Sequence, residues 1–214
     1  MKTSLIVRFL LLAILWLALL LPAWWWAARW VAAPAIWLAG TVMQQLFSWV
    51  QGWEQDGVTA IIHTLVQVRT ATASGATALG EISTEASYPV YGYGLALLWA
   101  MLLAARTPRW YLKGLLGSVL LLPAQAWGIC FQWLRNITLL SGPDAQAWLG
   151  WPKWAYEVVA YGYQFGFLML APLAPIFLWL LFNKRFVAAI WLEASLDETS
   201  SAANAAPWPM DDVK

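Results

Sequence analysis

The chain has 214 residues, of which 62% are hydrophobic and only 11% charged. Soluble domains carry about 25% charged residues, so this composition places the chain in a membrane. A net charge of +1 gives no electrostatic basis for binding nucleic acid, and a single cysteine, Cys130, excludes an intramolecular disulfide and a cysteine-rich metal site.

Lys2 followed by the apolar run Phe9–Leu21 has the outline of a secretory signal, but Trp24, Trp25 and Trp26 stand where a small-x-small cleavage site belongs. The segment therefore reads as a first membrane span over residues 5–26, with Arg8 near its start and Pro22 near its far end. After Pro34, the polar residues Thr41, Gln44, Gln45 and Ser48 recur at helical spacing. That pattern predicts an amphipathic helix over Ile36–Val50, lying along the membrane surface.

The character changes over residues 57–85. Val58–Arg69 is rich in β-branched residues, Ala71–Ala76 is turn-like around Ser74-Gly75, and Leu79, Glu81, Ser83 and Glu85 alternate. A two-stranded external β-hairpin is predicted, packed on the membrane helices or a partner because it is marginal alone. Further spans are predicted at 91–105, 115–133 and 155–182, with Pro123 bending the third and Pro172 and Pro175 the fourth. Ser141–Lys153, with Trp148 and Trp151, reads as an interfacial segment, and the 18 tryptophans of the chain suit much interfacial surface. Phe186–Leu192 is expected as a short surface helix, and residues 193–214 as a disordered cytoplasmic tail after a single membrane domain, 1–192.

The fold class is thus an all-α integral membrane protein of about four transmembrane helices, with interfacial helices and a small external β-hairpin. Lys2, Arg8, Arg106, Arg109, Lys113, Lys184 and Arg185 fall on one side, and Arg29, Arg69, Arg135 and Lys153 on the other. The basic excess puts both termini in the cytoplasm of a bacterial inner membrane and the 57–85 hairpin in the periplasm. Leu19-Leu20-Leu21-Pro22-Ala23 recurs as Leu120-Leu121-Leu122-Pro123-Ala124, and Tyr91-Gly92-Tyr93 as Tyr161-Gly162-Tyr163. The order matches a two-helix hairpin present twice, with the β-hairpin inserted in the first copy. Leucine runs ending in Pro-Ala also arise by chance in such a composition.

Candidate chemistry is sparse. Cys130, His63 and Arg135 are the minimum set for a cysteine transpeptidase or protease: thiolate, proton acceptor and oxyanion partner. The plainer reading makes Cys130 a small buried apolar residue. Gln125, Gln132 and Gln164 are intramembrane polar residues, functional suspects by position, and hydrogen bonding between helices accounts for them more simply. The Tyr91, Tyr93, Tyr161 and Tyr163 pairs flank glycines that allow close helix approach, which makes them packing or partner-binding candidates. Glu81, Glu85, Asp144 and Glu157 have no metal-ligand spacing, and no phosphate loop or zinc signature occurs, so no cofactor or metal is expected.

Several phrases resemble the exosortase H-associated membrane proteins: Tyr88-Pro89-Val90-Tyr91-Gly92-Tyr93-Gly94-Leu95, Leu121-Leu122-Pro123-Ala124-Gln125-Ala126-Trp127-Gly128, Gly162-Tyr163-Gln164-Phe165-Gly166, Leu173-Ala174-Pro175 and Asn183-Lys184-Arg185-Phe186. The resemblance implies an accessory role in C-terminal protein sorting. Exosortases are multi-spanning enzymes, similar to transpeptidases that use Cys, Arg and His. This chain departs from them, because His63 precedes Cys130 and lies in the inserted loop. The expected function is a non-enzymatic subunit that binds, besides the lipid bilayer, another integral membrane protein such as an exosortase-like enzyme or its substrate tail. A membrane cysteine enzyme, or a structural subunit of a secretion or pilus assembly, are the alternatives.

Overall fold

The structure is a computed structural model that describes residues 5–71, 77–189 and 192. Helix α1 (Leu5–Val31) has 27 residues, a rise of about 40 Å, more than the roughly 30 Å of a bilayer's hydrocarbon core. Pro22 lies inside it without ending it. Helix α2 (Ala33–Leu46) follows after one residue, with Pro34 in its first turn, where a missing N–H leaves no bond unmade. Ala32 donates to the Ala28 carbonyl at 2.8 Å, so the two helices are nearly continuous.

Helix α2 shows part of the predicted stripe, with Gln44 and Gln45 exposed, while Ser48, also exposed, lies past its end. Its other face, Ala35, Ile36, Ala39, Gly40 and Met43, is buried and packs on α5. The apolar face predicted to meet lipid is therefore covered by protein. The helix also stops at Leu46, short of Val50.

Val50–Asp56 instead forms strand β1, followed by β2 (Thr59–Ala71) and β3 (Thr77–Ser87) in one antiparallel sheet of order β1-β2-β3. The predicted two-stranded hairpin is present as β2–β3, but the sheet has three strands. The extra strand was announced by Asp56-Gly57. Gly57 has φ +58°, and a two-residue loop joins Asp56 to its partner Thr59, the geometry of a tight hairpin. Most of the predicted 71–76 turn lies outside the described residues.

The sheet buries one face. Ala60, Ile62, Thr64 and Val66 of β2 and Ile82 and Ala86 of β3 are all 9% exposed or less, at the period of two that a pleated strand imposes. All but Thr64, whose hydroxyl donates to the Ile82 carbonyl, pack with Ile36, Met43 and Trp133 in the larger of two core clusters. The smaller cluster, Leu98, Met101, Leu102, Leu121 and Trp179, lies far from the sheet along the helices.

Three helices are long and apolar enough to cross a membrane: Leu5–Val31, Trp110–Leu140 and Lys153–Phe182. The first matches the predicted 5–26 span and the third the predicted 155–182 span. The middle one extends the predicted 115–133 at both ends, as α5 (Trp110–Arg135) plus a π-helical turn (Asn136–Leu140). The segment predicted as 91–105 is a shorter apolar helix, Pro89–Ala104, broken at Tyr93 into α3 (Pro89–Gly92) and α4 (Gly94–Ala104). The interfacial segment at 141–153 contains α6 (Pro143–Leu149).

The last long helix is α7 (Lys153–Gln164), a π-helical stretch (Phe165–Leu170) and α8 (Ala171–Phe182). Pro172 has no N–H for the Leu168 carbonyl, and the widened turn sits immediately before it. Residues 184–189 are helical, the start of the predicted surface helix; residues 193–214 lie outside the described residues.

Helix α5 is the common neighbour of α2, α4, α7, α8 and β3. It admits them through glycines: a side chain at Gly128 would enter the Tyr91 ring, and one at Gly117 would meet Leu98. Trp133, fully buried, donates its indole N–H to the Ala60 carbonyl at 3.0 Å and so ties α5 to the sheet. At the opposite end, the turn between α4 and α5 places Arg106 and Arg109 in the left-handed region, at φ 48° and 54°. Between them the buried Thr107 hydroxyl donates to Asn183 Oδ1 at 2.6 Å, while the Asn183 amide donates to the Trp179 carbonyl.

Most of the exposed tryptophans mark the sheet end: Trp25, Trp26, Trp30 and Trp37 on α1 and α2, and Trp148 and Trp154 on α6 and α7; Trp110 marks the other end and Trp127 lies between. This is the distribution expected at the two interfaces of a bilayer.

Gly128→Val forces a β-branched side chain into the space of the Tyr91 ring. Overpacking of this kind costs about 1–3 kcal/mol. The thermal unfolding midpoint in detergent is expected to fall clearly, whereas Gly52→Ala, whose added Cβ meets nothing within 4 Å, leaves it within about 0.5 kcal/mol of the parent.

Candidate functional site

The polar and reactive groups singled out from the sequence gather on or above the sheet-side half of α5, but not as one catalytic set. Cys130 is buried on the face of α5 toward α2, and its thiol donates to the Ala39 carbonyl at 3.5 Å. His63 lies on β2, where Nδ1 is 2.9 Å from Ser83 Oγ and Nε2 is 3.4 Å from Glu54 Oε1. Arg135 sits five residues after Cys130, about 140° around the helix. Its guanidinium lies over the Tyr163 ring, 4.5 Å from the centroid. Among the described residues no hydrogen bond or ion pair links any two of Cys130, His63 and Arg135.

The glutamines separate too. Gln125 is buried, Gln132 is half-buried with Oε1 enclosed and unpartnered, and Gln164 is exposed. No hydrogen bond joins them among the described residues, so the inter-helix bonding expected of them is not what holds α5 to α7. Trp127 does that instead: its indole N–H donates to the Gly162 carbonyl at 3.0 Å, and its ring stacks on Phe131, 4.6 Å between centroids. Phe131 in turn occupies the space a side chain at Gly162 would need.

Of the four tyrosines, Tyr161 is exposed and Tyr93 is half-buried at the α3–α4 break. Tyr91 is 3% exposed, seated against Gly128, within electrostatic reach of both Tyr163 and Arg135. Its hydroxyl has no hydrogen-bond partner. Gly128, Gln132 and Arg135 follow the i, i+4, i+7 spacing of one helix face, so the sequence held the signal for this polar face.

Cys130 borders a cavity of about 810 Å³ between α2, α5 and α7. Val42, Leu46 and Phe47 line one wall, Trp154 and Val158 the other, and the lining is almost wholly apolar. The volume is that of a small-molecule pocket. It offers aliphatic and aromatic surface, a lining suited to a lipid chain or an apolar side chain.

Contacts made by the resembling phrases give them a physical meaning. Tyr91 of the first fills the gap left by Gly128 of the second. Trp127 of the second bonds to Gly162 of the third. Gly94 of the first receives the Ala171 carbonyl and Pro175, within 3.0 and 3.1 Å of where its Cβ would be. Asn183 of the last closes on Thr107. A model of the exosortase H-associated membrane proteins matches residues 3–186.

The chain belongs to this family.

The match covers the three candidate membrane-crossing helices, the shorter apolar helix and the sheet, and ends at Phe186, which packs on Phe9 and Trp179. No curated protein and no solved structure matches the chain. The family is associated by name with exosortase systems and with membranes, and the apolar helices agree with the second.

Cys130→Ala removes one weak S–H bond and little volume, a loss of about 1 kcal/mol or less. The variant is expected to fold and, on the accessory reading proposed below, to support its host's surface-protein sorting at the parental level. Loss of sorting by a folded, normally abundant variant would restore the cysteine-enzyme reading.

Proposed function

We propose that the protein is a non-enzymatic accessory subunit of an exosortase-type sorting system in a bacterial inner membrane, where it binds the sorting enzyme or the membrane-embedded tail of its substrate. Family membership carries this reading. The separation of Cys130, His63 and Arg135 into three environments supports it against an enzyme of its own.

In this reading all four apolar helical segments cross the bilayer, Pro89–Ala104 included, and the two hairpins α1/α3–α4 and α5/α7–α8 descend from a repeat. Both termini are cytoplasmic and the sheet is periplasmic. The basic residues Arg106, Arg109, Lys113 and Lys184 gather at the end away from the sheet, which agrees with that orientation. The sheet offers the docking edge. Asn136 holds β3 through Thr84 and the Glu85 carbonyl, while Leu79, near the tip, is 70% exposed. An extended peptide adds to such an edge through main-chain hydrogen bonds.

Removing residues 58–85 whole would strip Trp133 of its partner Ala60, so the edge is better tested at its tip. Affinity purification of the tagged protein from its native membrane in mild detergent is expected to bring an exosortase-like enzyme at near-stoichiometric yield. Leu79→Asp is expected to lower that yield several-fold while the purified subunit keeps its unfolding midpoint. Purification of the chain alone, or with pilus or secretion components, would overturn the proposal. For orientation, Leu79→Cys in a Cys130→Ala background should react with a membrane-impermeant maleimide from the periplasmic side; protection there with labelling only after inner-membrane lysis would invert the topology.

A further inference from the structure

The end of the bundle away from the sheet divides the charge of the chain sharply. Arg8, Arg106, Arg109, Lys113, Lys184 and Arg185 gather there. The acids among the described residues, Glu54, Asp56, Glu81, Glu85, Asp144 and Glu157, all lie on the sheet, on α6 or in the first half of α7. Among the described residues none of the six cations has an ion pair. Only the Lys113 side chain is hydrogen-bonded, donating to the Phe182 carbonyl at 2.7 Å.

Chain order does not bring these cations together. The buried bond from Thr107 to Asn183 does, by setting the turn that carries Arg106 and Arg109 against Lys184 and Arg185, the residues that follow Asn183. Two adjoining pockets result. One, of about 200 Å³, opens between the start of α1 and the end of α4, with Arg8 and Arg106 on a wall completed by Leu5, Phe9 and Leu12. The other, of about 390 Å³, is lined by Lys113, Lys184 and Arg185 together with Leu181 and Phe182. Ala105 and Phe186 line both, so the two pockets share a wall. A basic excess at helix ends is ordinary in membrane proteins. Cations that only set orientation need no shaped site, whereas all of these but Arg109 line pockets that also present leucine and phenylalanine surface.

We propose that the two pockets together hold an anionic phospholipid, its phosphate bound by these cations and its chains laid against Leu5, Phe9 and Leu12. The lining decides the class of ligand. A soluble phosphate would use the cations and leave the apolar wall uncovered. A zwitterionic lipid would bring a cation of its own into the cluster. An anion on an apolar body uses both surfaces, and basic pockets between membrane helices recognise such headgroups. The proposal needs only that the helices cross a bilayer. It stands apart from the sorting role and from the orientation proposed above, so it fails or holds without them.

The test offers full-length protein in detergent micelles equal amounts of phosphatidylglycerol and phosphatidylcholine with the same chains, and counts retained lipid by native mass spectrometry. Phosphatidylglycerol is expected to be retained several-fold over phosphatidylcholine. Arg8→Gln with Arg106→Asn, and separately Lys184→Gln with Arg185→Gln, should each cut that preference several-fold. The unfolding midpoint should stay unchanged, because these four exposed side chains make no bond among the described residues. Arg109→Asn is the control. It removes the same charge from the same turn, at the same left-handed conformation as Arg106, but Arg109 lines neither pocket, so most of the preference should remain. Equal retention of the two lipids overturns the proposal. So does a loss with Arg109→Asn as large as with the pocket variants, which would mean a diffuse field and no site. Displacement of the lipid by millimolar inorganic phosphate overturns it in favour of a soluble anion. A preference that emerges only when Glu193, Asp197, Glu198, Asp211 and Asp212 are changed to their amides overturns it in favour of the chain's own acidic residues.

Discussion

Inside a bilayer, helices gain nothing from leaving water, because lipid tails are as apolar as leucine. Association rests on close packing and a few hydrogen bonds. In this protein that constraint is met by α5, a helix whose glycines receive rings and side chains from its neighbours. Tyr91 seats on Gly128, Leu98 on Gly117 and Trp99 on Gly114, while Phe131 of α5 seats on Gly162 of α7. At each seat a methyl group added to the glycine would come within 2.9 Å of its neighbour, so something there would have to shift. The indole bonds of Trp127, Trp133 and Trp179 to main-chain carbonyls then fix the level of each neighbour along the bundle. The sheet is part of the same arrangement, since its buried face closes over Trp133, and so its position depends on the helix beneath it.

The elements that follow from uniform local pattern were legible. An unbroken apolar run makes α1, and period-two burial makes β2 and β3, because in both cases one local rule suffices. The polar stripe of α2 was legible as well, but not its covering, because a helix that packs on protein and one that floats on lipid present the same apolar face in sequence. Strand β1 was hidden by its composition: Gln51, Gly52, Glu54 and Gln55 are poor strand formers, and pairing with β2 overrides their preference. The π-helical stretch before Pro172 has a local mark in that proline, whereas the break at Tyr93 lies where Gly94 receives the Ala171 carbonyl across the bundle, a contact no local pattern records.

For the candidate site the right residues were legible, but in the wrong company. Cys130, His63 and Arg135 drew notice as reactive types, yet chain order says nothing of the 140° or so that separates Cys130 from Arg135 around α5. The tyrosines drew notice through repeated words, and one from each copy, Tyr91 and Tyr163, does come near Arg135. Gln164 was grouped with Gln132 by its polarity and faces outward instead. What decides these environments is the azimuth of each residue on its helix relative to a neighbour, and that requires knowing which neighbour it has.

The pairing of Thr107 with Asn183 has a mechanical consequence. One hydrogen bond at 2.6 Å, itself enclosed, joins the turn after α4 to the end of α8, and Lys113 adds a bond from α5 to the Phe182 carbonyl at the same level. Three helices are thereby clipped at one end, while at the other they carry a sheet and an open-sided cavity. The bundle is built like a clothes peg. Any parting of α5 from the α7–α8 helix would hinge at this clip and would have to break the Trp127–Gly162 bond on the way to the sheet.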